Sequence, residues 1–257
     1  MLTKTTFPCN WPIAPSDLSL PSHEVHVWCV LLEPPLNLLS ILADTLTDDE
    51  LKRAERLQFQ EDRLHFIAAR WVLRTILGRY LHRDPKTLRF CYGPYGKPSL
   101  MSEPNRSNLC FSVSHSHGVA LYAFTYDREI GVDVECIQSD RLSENIPERF
   151  FSPREASALH SLPEHKQNEA FFTYWTCKEA YLKAQGIGLY LDLHKVEVSV
   201  TPGEAAFLTS IDGDHHEAGF WSLKELDAFS GYAAALVVKG HDWSLKYLQW
   251  NNDVFNR

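Results

Sequence analysis

Two stretches of the chain carry the same order of helix signals. Residues 46–77 read LTDDELKRAERLQFQEDRLHFIAARWVLRTIL, and residues 151–184 read FSPREASALHSLPEHKQNEAFFTYWTCKEAYLKA. In each stretch a capped helix and a short link precede a long amphipathic helix, and strand-like runs follow. The repeat predicts two similar α/β halves joined near residues 127–130, although many α/β folds repeat such units.

Local patterns place the boundaries of these halves. We expect an irregular arm rich in Pro, Ser and Thr over residues 1–22, a first half over residues 23–129 and a second half over residues 130–257. Helices are expected at residues 48–59, 61–81, 152–162 and 165–185. Strands are expected at residues 25–32, 109–114, 119–126, 130–136, 195–200, 220–224 and 232–239.

Charge and cysteine usage exclude several classes of protein. The formal net charge of -8 argues against a general nucleic-acid binder, which usually carries a basic surface. The six cysteines form no CxxC pair and match no zinc or disulfide spacing, which indicates reduced thiols. The N-terminus lacks the apolar core of a signal peptide, and no apolar run approaches roughly 20 residues. We therefore expect a cytoplasmic protein that is not inserted in a membrane.

The strand-like sequence GVDVE, Gly131–Glu135, places two carboxylates on one face. Alternate side chains of a strand share a face, so Asp133 and Glu135 lie together with Cα atoms roughly 7 Å apart, while Val132 and Val134 face the core. Paired carboxylates can share a hard cation with a phosphate group. The alternative is an ordinary solvated strand face.

The helical sequence WTCKEAYLKA, Trp175–Ala184, adds a third carboxylate. Glu179 and Lys183 are four residues apart and lie on one helix face, with Lys178 beside them in the sequence. A routine helical salt bridge explains this pair equally well. Together with the two carboxylates of the strand, however, Glu179 would complete an oxygen-rich Mg²⁺ site.

Two further motifs, YGKP and FSVSHS, offer groups that bind anions. Lys97 is held between Gly and Pro, and Ser114 and His115 stand at a strand end. A solvated turn lysine is the alternative for Lys97. No G-x-S-x-G elbow supports Ser114 as a nucleophile, and no third ligand with suitable spacing supports a zinc site at His115 and His117. The basic residues of the first capped helix include Arg53 and Arg56, which more often than not would simply be solvated.

The motifs in this order resemble the Sfp-like 4′-phosphopantetheinyl transferases. That family carries GxDxE followed about forty residues later by WxxKEAxxKA, as GVDVE and WTCKEAYLKA stand here, with YGKP and FSVSHS upstream. The likeness extends over residues 25–238, and residues 46–81 look similar to cyanobacterial members. It implies an α+β fold, a pseudo-dimer of two similar α/β halves with the active site between them.

The resemblance also implies an activity and its residues. Such an enzyme moves the 4′-phosphopantetheine arm of coenzyme A onto a serine of an acyl or peptidyl carrier protein and releases adenosine 3′,5′-bisphosphate. The implied Mg²⁺ ligands, with Mn²⁺ as a substitute, are Asp133, Glu135 and Glu179. The implied coenzyme A contacts are Arg53, Arg56, Lys97, Ser114, His115, Lys178 and Lys183. The implied catalytic groups are Lys183 and Glu179, the latter as general base directly or through a metal-bound water.

Carrier recognition is open to two interpretations. By family analogy the segment 137–151 would dock the carrier through Arg141, Ile146, Arg149 and Phe150, whereas the alternative is a connecting segment packed on the core. A monomer is expected because the doubled chain builds its own cleft. Two rival functions are a non-catalytic coenzyme A or carrier-binding module and an unrelated Mg²⁺-dependent nucleotide transferase. The complete carboxylate set and the absence of a Walker A or dinucleotide loop disfavour them.

Overall fold

The computed structural model describes residues 11–34, 36–101, 108–138, 146–188, 192–199, 204–227 and 229–251. Within these residues the helices are α1 (Leu39–Ala43), α2 (Asp48–Glu55), α3 (Gln60–Leu81), α4 (Ile146–Phe150), α5 (Pro153–Ser161), α6 (Glu164–Gln185) and α7 (His215–Ala218). The strands there are β1 (Glu24–Leu31), β2 (Phe90–Tyr92), β3 (Pro98–Leu100), β4 (Leu109–Ser116), β5 (Val119–Tyr126), β6 (Ile130–Cys136), β7 (Val196–Ser199), β8 (Phe207–Ile211), β9 (Trp221–Glu225), β10 (Tyr232–Lys239) and β11 (Ser244–Gln249).

The capping signals of the sequence form as predicted. At the start of α2 the backbone amide of Thr47 donates to the carboxylate of Glu50 at 2.9 Å, and at the start of α5 the amide of Ser152 donates to Glu155 at 2.7 Å. Each carboxylate thus satisfies an amide that the helix itself leaves unbonded. Helix α6 ends where Gly186 adopts the left-handed conformation with φ of 70°.

The link between α2 and α3 differs from the prediction, which extended the first helix to Phe59. Helix α2 ends at Glu55, and Phe59 has an extended backbone directly before α3 begins. The amide of Leu57 bonds to the carbonyl of Ala54, so the chain leaves the helix through a tight turn. No glycine or proline stands in this link, which is why the sequence carried no stop signal.

The strands of the described residues form two larger sheets and two small hairpins. The first sheet has the order β11-β1-β5-β4, and the second has the order β6-β10-β9. Strands β2 and β3 pair as one hairpin, and β7 and β8 pair as another. All of these pairings are antiparallel except that of β1 with β11.

The two sheets pack face to face between the two long helices. Helix α3 covers one face of the first sheet, where its Val72 and Ile76 join Trp28 in one core cluster. The opposite face of that sheet packs on the second sheet through alternate residues such as Val27 and Val132. Helix α6 covers the outer face of the second sheet. The predicted fold class, a mixed α+β fold, is confirmed.

Strand β11 was not predicted from the sequence. Its residues alternate between exposed and half-buried positions from Ser244 to Tyr247, Leu248 is buried, and the strand pairs in parallel with β1. The chain therefore returns from the second half to complete the sheet of the first half. The division of the chain at residue 130 stays a prediction. Strand β11 belongs to the second half by its position in the sequence but to the first sheet by its pairing with β1.

The two sheets meet where the edge strand β4 lies beside the edge strand β6. Three serine hydroxyls on β4 accept hydrogen bonds from backbone amides on β6, and we call this row the serine seam. The bonds run from Val132 to Ser112 (3.0 Å), from Val134 to Ser114 (3.3 Å) and from Cys136 to Ser116 (3.2 Å). Because the partners advance together by two residues, the seam fixes the register of β4 against β6.

Helix α6 approaches β6 most closely at Gly131. A Cβ atom at this position would lie 1.9 Å from the carbonyl oxygen of Ala180 and 2.4 Å from the amide nitrogen of Ala184. Both contacts are to backbone, so neither can move aside by a change of rotamer. The glycine and the two alanines together bring the helix onto the strand.

We predict that Gly131→Ala destabilises the protein by about 3 kcal/mol or more, the upper end of the range typical of overpacking, because the clash is with backbone. Chemical denaturation measures the loss, and Gly93→Ala is the matched control because its added Cβ would meet its nearest neighbour, the Lys97 carbonyl oxygen, at 3.8 Å. Equal unfolding free energies for the two variants would contradict the close approach of α6.

Candidate active site

Strand β6 presents its carboxylates on one face, as the alternation predicted. Val132 and Val134 are fully buried in the core between the sheets, whereas Asp133 and Glu135 point toward α6 and β4. Asp133 is only 2% exposed, and Glu135 is half-buried. A carboxylate buried to this degree needs charged or hydrogen-bonding partners.

Asp133 finds those partners on both neighbouring elements. Its Oδ1 accepts hydrogen bonds from the Ser114 hydroxyl at 2.7 Å and from the Lys183 ammonium at 2.6 Å. The same ammonium donates to Ser114 Oγ at 2.7 Å. The other carboxylate oxygen, Asp133 Oδ2, is buried without a hydrogen-bond partner among the described residues. A further ligand of Asp133 would therefore bind at Oδ2.

Glu179 lies close enough to Asp133 and Glu135 for their negative charges to act on it. Burial and the charge of Asp133, opposed by Lys183, together raise the pKa of Glu179 to about 7. Burial and Asp133 also raise the pKa of Glu135. Glu179 Oε1 is a second buried oxygen without a partner in the described part of the chain. The three carboxylates thus repel one another, and one lysine only partly compensates their charge.

The side chains do not form a ready metal-binding group. Among the described residues, no set of three or more His, Cys, Asp or Glu side chains converges closely enough to hold a metal ion. The ammonium of Lys183 instead lies on Asp133. The donor chemistry still fits a hard divalent cation, because two carboxylate oxygens are buried and without partners. The predicted ligand set therefore stays a prediction.

Two adjoining pockets open beside these carboxylates. The smaller, of about 260 Å³, lies between the halves and contains Glu179 and Lys183, while the larger, of about 730 Å³, lies between α3 and β4. Residues Gly96, Pro98 and Val113 line both. We call the combined space the groove.

The walls of the larger pocket carry positive and titratable groups. His115 at the end of β4 opens onto it; desolvation by the pocket walls lowers the pKa of His115, and the positive charge of Lys183 lowers it further. Arg53 also lines the pocket and lies over the Tyr92 ring. Arg56 is exposed directly after the end of α2 and is not among the residues that line the groove.

Arg70 is a residue of this pocket that the sequence analysis missed. It lines the pocket and is only 9% exposed, and its Nη1 has no partner among the described residues. Its Nε lies 3.5 Å from Glu50, which also binds Arg74. The signal available in the sequence was a charged residue within the apolar run FIAARWVL, where a buried cation requires a reason.

The position of Lys97 in the YGKP turn predicted an ammonium group presented to an anion. In the structure this ammonium group instead contacts two backbone carbonyls. Its ammonium donates to the carbonyl of Ile130 at 3.0 Å and to that of Ala184 at 2.9 Å, which joins the turn to β6 and to the last turn of α6. Burial lowers the pKa of Lys97 to about 8. Its stem still lines the smaller pocket. In this arrangement Lys97 fastens the two halves together.

Ser114 likewise has no hydrogen-bonding capacity left for a ligand. Its hydroxyl donates to Asp133 and accepts from Lys183 and from the amide of Val134. One donor and two lone pairs are all that a serine hydroxyl offers. The hydroxyl thus makes all of its hydrogen bonds beside Asp133, and the predicted contact of Ser114 with a ligand stays a prediction.

The structure places Lys178 in the core. This side chain is fully buried, and its ammonium donates to Glu155 at 2.6 Å and to the carbonyl of Leu193 at 3.0 Å. Glu155 also accepts the amide of Val198 at 2.9 Å. Lys178 thus joins α6 to α5 and β7, away from the groove, because it lies on a different face of the helix from Lys183.

The segment proposed for carrier docking is described only in part, since Arg141 lies outside the described residues. Within α4, Ile146 and Phe150 are half-buried and pack on the core beneath α6, and the Phe150 ring contacts Trp175 edge to face with centroids 5.2 Å apart. Arg149 stacks over Phe150. This arrangement favours the interpretation that Ile146 and Phe150 serve the packing of the core.

Across the described residues, every helix is too short or too polar to cross a bilayer.

Comparison with known proteins covers both halves of the chain. The family model of the 4′-phosphopantetheinyl transferase superfamily matches residues 129–237, and that of the 4′-phosphopantetheinyl transferase N-terminal region matches residues 33–125. The 4′-phosphopantetheinyl transferase HetI of Nostoc sp. is 43% identical over 238 residues, which cover 93% of this chain and 97% of that protein.

Two further similarities are weaker. The 4′-phosphopantetheinyl transferase Sfp of Bacillus subtilis is 29% identical over 153 residues, covering 60% of this chain and 66% of that protein. The crystal structure of Helicobacter pylori holo-[acyl-carrier-protein] synthase in complex with coenzyme A is 23% identical, covers 43% of this chain and 99% of its own, and has a TM-score of 0.35. On the extent and identity of the match to HetI and on the two family models, this chain belongs to the 4′-phosphopantetheinyl transferase superfamily.

Proposed function

We propose that this transferase moves the 4′-phosphopantetheine group from coenzyme A to a serine of an apo carrier protein, with the reaction taking place beside Asp133, Glu135 and Glu179. The observation that carries the proposal is the group of three mutually repelling carboxylates with Lys183 at the edge of the groove. Two of their oxygens are buried without partners, which leaves the group short of positive charge.

Asp133, Glu135 and Glu179 are the residues that would hold Mg²⁺, with Mn²⁺ as a substitute. The bound ion would neutralise charge on the pyrophosphate of coenzyme A and on the departing phosphate. Lys183 contributes a second positive charge beside the same oxygens, at hydrogen-bond distance from Asp133.

Proton transfer falls to Glu179 in this arrangement. The carrier serine oxygen forms a bond to the phosphorus that carries pantetheine, the bond from that phosphorus to the bridging oxygen breaks, and adenosine 3′,5′-bisphosphate leaves with the electron pair. The serine proton passes to a base. Glu179, which lines the smaller pocket beside Lys183, is the proposed base.

The larger pocket suits the adenosine end of coenzyme A, which carries the 3′-phosphate. Arg53, Arg70 and His115 line it, and Arg70 has an unpaired Nη1. Arginine is well suited to phosphate because its donors form a fixed fork. The ligand would therefore lie along the groove from these residues to the carboxylate group.

Further proposals concern the setting of the enzyme. We infer that it acts as a monomer in the cytoplasm, without nucleic acid or membrane, and that the domain division at residue 130 marks its two halves. The segment 137–151 remains the proposed carrier-docking site, with Arg149 as its described basic residue. Arg56 is retained only as a peripheral phosphate contact because it stands outside the groove lining.

The direct experiment incubates the protein with Mg²⁺, coenzyme A and a panel of apo carrier proteins from fatty-acid, polyketide and nonribosomal peptide synthesis. Mass spectrometry should detect the gain of one phosphopantetheine on at least one carrier. A panel that stays unmodified, while a known transferase modifies it, would contradict the proposed function. Coenzyme A bound without transfer would instead favour the non-catalytic binding module.

Replacing Asp133 with Asn keeps its shape but removes its charge. We predict that Asp133→Asn lowers the rate of transfer by about 100-fold or more, since a preorganised charged group is commonly worth about 10²–10³ in rate. Glu129→Gln is the matched control, because Glu129 is exposed and pairs with Lys239 outside the groove. Near-normal transfer by Asp133→Asn at saturating Mg²⁺ would refute its role.

His115→Ala tests the pocket for adenosine and phosphate. Loss of one hydrogen bond to a charged group should weaken coenzyme A binding by about tenfold or more while the rate at saturating coenzyme A changes less. Isothermal titration measures the affinity, and His23→Ala in the exposed turn before β1 is the control. Unchanged affinity would remove His115 from the binding site.

Replacement by methionine should affect mainly stability at Lys178 and mainly transfer activity at Lys183. Lys178→Met leaves Glu155 buried and uncompensated, so we predict a loss of stability of about 3–5 kcal/mol with coenzyme A affinity retained in the folded protein. Lys183→Met should lose more transfer activity per folded molecule than Lys178→Met and less stability. Thermal unfolding and single-turnover assays measure the two effects, and the reverse order would contradict the assignment.

A further inference from the structure

A chain of hydrogen bonds runs from the turn after β4 to Glu135. Gln138 Nε2 lies 2.7 Å from His117 Nε2, and His117 Nδ1 lies 3.1 Å from Ser116 Oγ. The Ser116 hydroxyl donates to Glu135 Oε2 at 2.9 Å. None of the roles described above uses Ser116 beyond the serine seam, or uses His117 at all.

Counting protons determines the direction of every bond in this chain. The single proton of Ser116 goes to Glu135, because a carboxylate only accepts. Both lone pairs of Ser116 then face donors, the amide of Cys136 and His117 Nδ1. With one ring proton and Gln138 Nε2 as the donor, His117 carries that proton on Nδ1, and its Nε2 accepts from the Gln138 amide. The hydroxyl of Ser116 cannot rotate away from Glu135 without losing these bonds.

The backbone of His117 is unusual for a histidine. His117 has φ of 46° and Gly118 has φ of 80° in the two-residue turn between β4 and β5. Asn and Gly are the residues favoured at such positions. The carbonyl of His117 accepts a bond from the Tyr232 hydroxyl at 3.0 Å, which ties the turn to β10. This bond and the pairing of β4 with β5 fix the position from which the His117 ring reaches Ser116.

We propose that Ser116 and His117 are positioning residues that orient the Glu135 carboxylate for a divalent cation. This inference rests on the proposed function, in which Glu135 is a metal ligand. Ser116 fixes Oε2 and so removes rotational freedom that a glutamate would otherwise lose on binding the ion. Hydrogen bonds from such outer residues commonly change metal affinity by about 10–100-fold.

Two substitutions at His117 separate the hydrogen bond from the turn. His117→Asn keeps a donor at about the position of Nδ1, and His117→Gly removes it, while both residues accept the left-handed backbone. Mn²⁺ is the probe, titrated by electron paramagnetic resonance into protein with coenzyme A and no carrier, so that no turnover occurs. We expect a loss of Mn²⁺ affinity of about tenfold for His117→Gly and less than about threefold for His117→Asn.

Two measurements without metal exclude a merely structural effect. In the presence of EDTA, the unfolding temperature and the coenzyme A affinity of His117→Gly should match those of His117→Asn. Ser116→Ala should show a loss of Mn²⁺ affinity like that of His117→Gly, together with some loss of stability because the amide of Cys136 loses its acceptor.

Glu135→Gln distinguishes failure of this inference from failure of the proposed function. If Glu135→Gln leaves Mn²⁺ affinity unchanged, Glu135 is not a ligand, and both proposals about it are overturned. If Glu135→Gln weakens Mn²⁺ binding but His117→Gly does not, only the positioning role is overturned. The double variant of Glu135→Gln with His117→Gly should lose no more Mn²⁺ affinity than Glu135→Gln alone. Additive losses of Mn²⁺ affinity would show that His117 acts independently of Glu135, which would overturn the positioning role.

Discussion

The hydroxyl groups of the serine seam hold the two halves of this transferase in register. The seam lies between two edge strands, and it provides acceptors for the outer amides of β6 at Val132, Val134 and Cys136. A buried amide without a partner costs about 1–3 kcal/mol, so each serine avoids a penalty as well as making a bond. Because Ser114 and Ser116 also donate to Asp133 and Glu135, the interactions that join the halves also orient the carboxylates. The contacts that join the two halves are therefore also the contacts that hold the carboxylates of the site in place.

The same arrangement concentrates negative charge at a point where the protein supplies little to offset it. Burial raises the pKa of Glu179 and of Glu135, and neighbouring carboxylates raise each further. Lys183 reaches Asp133, but Asp133 Oδ2 and Glu179 Oε1 remain buried without partners in the described part of the chain. A site of this kind has a free-energy reason to bind a cation and, through it, an anion. That constraint connects the unpaired oxygens to the chemistry proposed for them.

The sequence predicted the fold well because its local signals agree with the tertiary contacts. Capping pairs, helical periodicity and strand alternation located the long helices and most strands, and the ordered motifs identified the family. Strand β11 was missed since an edge strand alternates weakly and its partner β1 is distant in the chain. Arg70 and the contacts of Lys97 were missed for a related reason: which polar groups remain unpaired, and which carbonyls a lysine reaches, depends on elements packed from elsewhere.

The position of Lys178 shows how a motif combines packing with chemistry. Successive residues of a helix are about 100° apart, so Glu179 and Lys183 are separated by about 40°, whereas Lys178 and Lys183 are separated by about 140°. Helical geometry alone thus places Lys178 on a different face from Lys183, although both are in the same ten-residue motif. One lysine binds Glu155 in the core, and the other lies on Asp133 at the groove. Ala180 and Ala184 bring the helix against Gly131, and only that approach allows the second lysine to reach the strand. The motif therefore specifies the distance between helix and strand as much as the groups that react there.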